Sequence, residues 1–231
     1  MAAVESLPHL VDPTEALDDR RARLRLVADR VAPMAFARER TLPILPELAD
    51  LLPDGVLRRG TVVGIGGEGG ATALALALAA GPSAAGSWTA IVGQPQLGLV
   101  AAEEAGIMLE RLLVVSPEPS AWAGAVAALV GAVDVVLVAP NHRVRDGDAR
   151  RLSARLRERG SVLIHTGGRW VPGADVQLDV AHSEWLGLGA GHGVLRSRRV
   201  IVDGGGRGAA ARPRSAHLLL PGPTGSPARV N

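Results

Sequence analysis

Thr61-Val-Val-Gly-Ile-Gly-Gly-Glu-Gly-Gly-Ala-Thr-Ala-Leu-Ala-Leu-Ala-Leu78 decides the reading of this chain. An apolar strand runs into a glycine turn, and the turn runs into a helix rich in Ala and Leu. That is the setting of a nucleotide phosphate loop, G-x-x-x-x-G-K-[ST]. Gly64 and Gly69 stand at the right spacing, with Gly66, Gly67, Gly70 and Thr72 around them. The lysine position, however, is Gly70, and the Ser/Thr position is Ala71. No lysine occurs anywhere in the chain, so no shift of register restores it. Without the ammonium there is no point charge for the β- and γ-phosphates, and without the hydroxyl no loop ligand for Mg²⁺. The scaffold of a phosphate loop is present and its chemistry is not. Glycines that let the chain turn tightly are the favoured account, with an anion held by the amides of the turn as the alternative, and no cofactor is expected.

The rest of the composition narrows the possibilities. With 231 residues, 47% of them hydrophobic, the chain suits one domain of ordinary size with extensions. The core must be built from Ala, Val and Leu, because there is one Phe and no Tyr. No cysteine is present, which excludes disulfides, thiolate metal sites and cysteine nucleophiles and suits a reducing cytoplasm. The start, MAAVESLPHL, lacks a basic segment followed by an apolar one, so no signal peptide is expected. The apolar run Ala71–Ala80 is too short for a membrane span. Every basic residue is arginine, and the pI near 10.6 reflects the lack of groups titrating between carboxylate and guanidinium more than a large net charge. Charge is unevenly spread. Residues 60–142 carry one Arg against six acids, 143–159 seven Arg against three acids, and 196–214 six Arg against one. A locally basic second half suits a phosphate backbone or an acidic protein partner.

Periodicity gives the organisation. Asp12-Pro13-Thr14-Glu15 opens an amphipathic helix with Leu17, Leu24, Val27 and Val31 on one face, so residues 1–41 read as a helical N-terminal arm. From Leu42 to about Asp203, strand runs Thr61–Ile65, Thr89–Val92, Leu112–Val115, Val133–Val138 and Ser161–His165 alternate with helical runs Ala71–Ala80, Leu99–Leu109, Ala121–Val130 and Asp146–Arg159. Short apolar strands alternating with helices predict a mostly parallel α/β sheet covered on both faces. After residue 174, Asp175–Val180, Glu184–Leu188 and Leu195–Asp203 are strand-like with no helix between them, which predicts an antiparallel extension. The expected divisions are therefore an arm over 1–41, a core over 42–205 and a basic, Pro/Gly-rich tail over 206–231, ordered only at His217–Leu220 and mobile over its last ten residues.

The order of these motifs resembles the RecA family core across roughly residues 42–205. Leu48–Gly60 is similar to that family's Leu-rich lead-in, and Gly64–Thr72 falls where its phosphate loop lies. Trp88–Gly93 resembles the strand ending near the catalytic glutamate, but Gln94-Pro95-Gln96 follows in its place. Val133–Pro140 resembles the Walker B strand, with Ala139 where the terminal Asp belongs and Asp134 at the wrong end. These losses together argue against hydrolysis, since phosphoryl transfer depends on placed charge. Within RecA-like proteins, Trp185–Val202, Arg207–Pro213 and Leu218–Pro221 resemble the actinobacterial ImuA group. That resemblance implies a non-enzymatic role in damage-induced mutagenesis and translesion synthesis. The implied partners are an ImuB-type Y-family polymerase homologue and an error-prone replicative-type polymerase. The resemblance to a RecA core without its nucleotide motifs also allows two other readings: a cell-division inhibitor of the SulA kind, or a nucleotide-binding ATPase of altered mechanism.

Two arginine groups and one tryptophan are the candidate contacts. Arg150, Arg151, Arg155, Arg157 and Arg159 make a basic helix, read as a solvated face, a DNA contact (direct or within a complex) or a site for an acidic partner. Arg196, Arg198 and Arg199 read as an edge strand with Arg outward, or as a partner or self-association surface. Trp170, in the Gly-rich stretch His165–Gly173, is expected to be exposed and able to stack on a base, whereas Trp88 and Trp185 read as packing residues. His142, His165, His182 and His192 share no metal-ligand spacing, so no metal site is expected.

Overall fold

A computed structural model describes residues 40–67, 69–167, 170–189 and 192–230. The amphipathic helix expected over the arm lies outside them. From Thr41 onward the described residues form one unit around a nine-stranded sheet.

A two-stranded antiparallel ladder, β1 (Thr41–Leu42) with β2 (Leu57–Arg58), brackets two 3₁₀ turns at Pro46–Leu51 and Pro53–Gly55. The main sheet begins with β3 (Val62–Gly67), followed by helix α1 (Ala71–Ala84). Next come β4 (Thr89–Val92), α2 (Leu99–Glu104), β5 (Leu112–Val115), α3 (Trp122–Leu129), β6 (Val135–Val138), α4 (Asp146–Arg159) and β7 (Val162–Thr166). The chain finishes with β8 (Val176–Gly189), β9 (His192–Gly206), β10 (Arg214–Leu219) and β11 (Ala228–Arg229). The strand order is β11-β10-β9-β8-β3-β7-β6-β4-β5. Pairing is parallel from β8 through β5 and antiparallel from β8 through β11, as the patterning predicts.

Each face has its own core. On one side Val63 and Ile65 of β3 pack with Leu74 and Leu78 of α1, and with Leu178, Val200, Val202 and Leu218 of the later strands. Helix α1 is apolar nearly all round and buried from Leu74 to Ser83, as such a composition requires. On the other side Val62, Val136 and Leu163 pack beneath Trp122 and Val126 of α3 and Leu152 and Leu156 of α4. Helix α4 matches its dipole. Asp146 and Asp148 lie in its first turn, Arg157 and Arg159 in its last, and Gly160 closes it in the left-handed conformation at φ 74°.

Three expectations are corrected. The helix after β4 ends at Glu104, because Gly106 sits at φ 104° and the chain turns there. The runs 175–180 and 184–188 are one strand, kept continuous through a bulge at Ala181 and an irregularity near Gly187. Residues 206–230 are not a tail. Strand β10 pairs with β9 and places Leu218, fully buried, and Leu220, 2% exposed, in the α1-side core. Strand β11 then folds back on β10, and Ser226 Oγ donates to the Glu104 carbonyl oxygen at 3.0 Å. Pro and Gly here form turns, and the apolar triplet Leu218–Leu220 supplies the burial that holds the segment in place.

Candidate functional site

The glycine turn is shaped by backbone conformation. Gly67, Gly69 and Gly70 all have positive φ, at 94°, 72° and 101°. A side chain on Gly67 would also run into the Val180 carbonyl of β8. Gly70 is the N-cap of α1, and no side chain caps the helix there. A residue with a Cβ at φ 101° is strained, so the position that motif spacing assigns to lysine does not accept one without reshaping the turn.

A cation reaches the turn from elsewhere. Arg198 of β9 extends its guanidinium to the loop, with Nη1 3.5 Å from where a Gly70 side chain would begin. The group lies over the Trp185 ring, 4.2 Å from its centroid. Among the described residues it has no carboxylate partner, and its buried Nε has no acceptor. Burial lowers its pKa from the ordinary guanidinium value. By contrast, Arg199 pairs with Glu184 at 3.3 Å, Arg59 with Asp134 at 2.8 Å and Arg151 with Asp148 at 2.7 Å. Arg198 and Trp185 form one wall of a cavity of about 610 Å³. Gly69 and Gly70 form a second wall. The floor is apolar, with Leu76, Ala77, Leu97 and Ala101 from α1, α2 and the stretch before α2, and Leu220 and Pro221 close the far side.

The opposite face of β3 is polar. Gly64 and Gly66 clear space there for His165 of β7 and for Gln177 and Asp179 of β8. Gln177 Nε2 donates to Asp179 Oδ1 at 3.0 Å. His165 is 5% exposed; its Nδ1 lies 3.4 Å from the Gly167 carbonyl oxygen and its Nε2 has no partner. Burial lowers its pKa, and the Gly167 hydrogen bond offsets part of that. His165 stacks on Trp170, centroids 5.4 Å apart.

Trp170 is therefore not the exposed platform expected. It is 4% exposed, and its Nε1 donates to Ser153 Oγ at 3.0 Å, because the loop after β7 folds its ring down against α4. Trp185, read as a packing residue, is 38% exposed. The edge-strand reading is corrected for Arg198 and Arg199, which lie where β9 is flanked by β8 on one side and by β10 and the residues after it on the other, whereas Arg196 lies past the end of β10 on the part of β9 paired with β8. These arginines divide between the two faces: Arg198 turns to the glycine loop and Arg199 to Glu184 on the other side. On α4, Arg150, Arg151, Arg157 and Arg159 are exposed, whereas Arg155 is half-buried with its Nε unpartnered. Asp134 accepts the Trp88 amide at 3.1 Å and pairs with Arg59 at the amino end of β6, remote from the loop. Ala139 follows the carboxyl end of that strand. Among the described residues no group of three His, Cys, Asp or Glu is placed to hold a metal. No helix among them is long and apolar enough to cross a membrane.

Residues 50–172 match the family described as the MT3502 N-terminal domain. The chain belongs to that family. This MT3502-family chain is also 36% identical over 171 residues to Rv3395c of Mycobacterium tuberculosis, covering 73% of this chain and 78% of that one. Two solved structures share its fold at 13% identity. The RadB recombinase matches with a TM-score of 0.58 over 80% of this chain and 97% of its own. The flagellar accessory protein FlaH from Methanocaldococcus jannaschii matches with 0.56 over 83% and 99%. The fold is RecA-like.

Alternation along β9 signals the placement of Arg198. Val202 and Val200 face the α1-side core, and two residues further back the same face carries Arg198. The placement of Trp185 has no such signal. Alternation from Leu178 and Val180 would put Glu184 on that face and Trp185 on the other. The bulge at Ala181 moves the register by one, so that Ser183 opposes Val200 and Trp185 opposes Arg198.

Proposed function

We propose that this chain is a non-hydrolysing RecA-like accessory protein of damage-induced mutagenesis and translesion DNA synthesis. It acts by binding an ImuB-type Y-family polymerase homologue alongside an error-prone replicative-type polymerase. The observation that carries this reading is the left-handed glycine N-cap at the phosphate-loop lysine position. The loop keeps its place in the fold, while the residue that would engage a triphosphate is replaced by a conformation hostile to it. A RecA-like scaffold without that group serves as a surface for assembly. The ImuA resemblance over Trp185–Val202 names the assembly, and this same stretch builds the wall of the cavity beside the loop. RadB is a recombinase, and a role linked to DNA is in keeping with that name. The exposed arginines of α4 supply a DNA contact within the complex, and the protein works in the cytoplasm.

The test is a strain lacking the gene, scored for damage-induced mutation frequency and cell length in parallel. Induced mutagenesis should collapse while filamentation stays normal. Unchanged mutagenesis with lost filamentation would replace this reading with a division inhibitor of the SulA kind.

A further inference from the structure

We infer that the cavity between the glycine turn, α2 and the β8–β9 pair is a peptide-docking pocket, and that its occupant is a partner segment in which an apolar side chain is followed closely by a carboxylate. The inference deepens the proposed function and rests on it for the partner's identity. The cavity itself does not depend on that reading.

Charge complementarity and shape argue for this occupant. The floor is made of Leu76, Ala77, Leu97 and Ala101, which offer no hydrogen bonds and accept a Leu-sized side chain. At the edge of that floor stands Arg198, a cation without a carboxylate partner among the described residues; the acid in the lining, Glu104 at the end of α2, is exposed and forms no ion pair with it. The neighbouring Arg199, by contrast, is paired with Glu184. Stacking on Trp185 holds the guanidinium plane in place before any ligand arrives, so little side-chain freedom is lost on engagement. A planar fork of this kind is suited to a carboxylate. Trp185, partly exposed next to it, adds the aromatic anchor common at the centres of protein interfaces. A nucleotide fits less well. Gly70 brings no ammonium to its phosphates, and most of the lining is apolar.

The experiment uses the full chain and a displayed library of random dodecapeptides. Selections are run on wild type, Arg198→Gln and Ala101→Trp, the last filling the cavity from an exposed position on α2. Selected peptides are then titrated by fluorescence anisotropy, with thermal unfolding confirming that each variant is folded. Wild type should enrich peptides with an apolar residue one to three positions before Asp or Glu. Their affinity should fall about tenfold or more in each variant, and Arg198→Lys should recover only part of it. Enriched peptides without an acid, or affinities untouched by Arg198→Gln and Ala101→Trp, would overturn the inference. So would displacement of the peptide by micromolar ATP, which would make the cavity a nucleotide site. Binding of the purified chain to the polymerase homologue is measured separately. If that binding is absent while peptides still bind through Arg198, the proposed function fails and the pocket stands.

Discussion

The parallel and antiparallel halves of the sheet divide the work of the site unequally. The parallel half, β3 with β7, β6, β4 and β5, carries the glycine turn, the strand ends and the helices between them. The antiparallel half, β8 to β11, contributes no turn of that kind. It does supply Trp185, Arg198, Leu220 and Pro221, the aromatic, the cation and much of the wall around the turn. One half keeps the outline of a phosphate site, and the other fills it with groups of different chemistry. A motif confined to one segment therefore describes only one half of such a site.

The sharpest way to break the comparison is to remove part of the antiparallel half. A chain stopped after Gly205 loses β10 and β11, and with them Leu218 and Leu220. Burial of those two side chains is worth about 3–6 kcal/mol, comparable with the whole margin of an ordinary domain. We expect no cooperative unfolding transition by circular dichroism. Next come the two tryptophans. Trp170→Ala should destabilise by about 3–5 kcal/mol, since it empties a buried site and strips Ser153 of its donor. Trp185→Ala should cost no more than about 1 kcal/mol, as its ring is partly exposed and its main partner is Arg198. Urea titration of both variants checks the pair, and equal losses would contradict the division described here.

A smaller effect is expected at the turn. Gly70→Lys with Ala71→Ser restores the phosphate-loop residues on a backbone that disfavours them. It should cost about 1–2 kcal/mol and yield no Mg²⁺-dependent ATP binding by calorimetry. Tight ATP binding by that double variant would show that sequence alone had disabled the loop. The smallest effect concerns His165. Its pKa is lowered in the fold, so the folded state favours the neutral ring. The unfolded chain takes up the proton first as pH falls below about 6.5. Stability should be fully present above that pH and decline below it, down through the folded-state pKa. His165→Gln should flatten this part of the pH profile of the urea midpoint.

Much of the parallel half is legible in the sequence, because its strands are short, almost wholly apolar and separated by helices. Thr89–Val92, Leu112–Val115 and Asp146–Arg159 fall where periodicity places them. The antiparallel half is harder to read. Its Gly and Pro content suggests a tail when Leu218 and Leu220 are not weighed as core, and the bulge at Ala181 reverses the facing of β8 from His182 to Leu186. The burial of Trp170 depends on Ser153, seventeen residues away on α4, and no local pattern announces that bond. The candidate site spans both halves, so its glycines were visible while the orientation of Arg198 and Trp185 depended on register.

The position of β3 has a consequence for how the chain acquires its structure. Its two neighbours are β7 and β8, and Val62 donates its amide to the Asp175 carboxylate, 113 residues further on. During synthesis from the amino end, the glycine-rich strand is exposed early and stays unpaired until more than 160 residues have emerged. Such long-range parallel pairing is slow and leaves apolar backbone open to misassociation in the interval. The family match, at residues 50–172, ends four residues before β8 begins at Val176. A fragment cut at that boundary would hold β3 with one neighbour of its two, and a kinetic trap of the growing chain would become the resting state of the fragment.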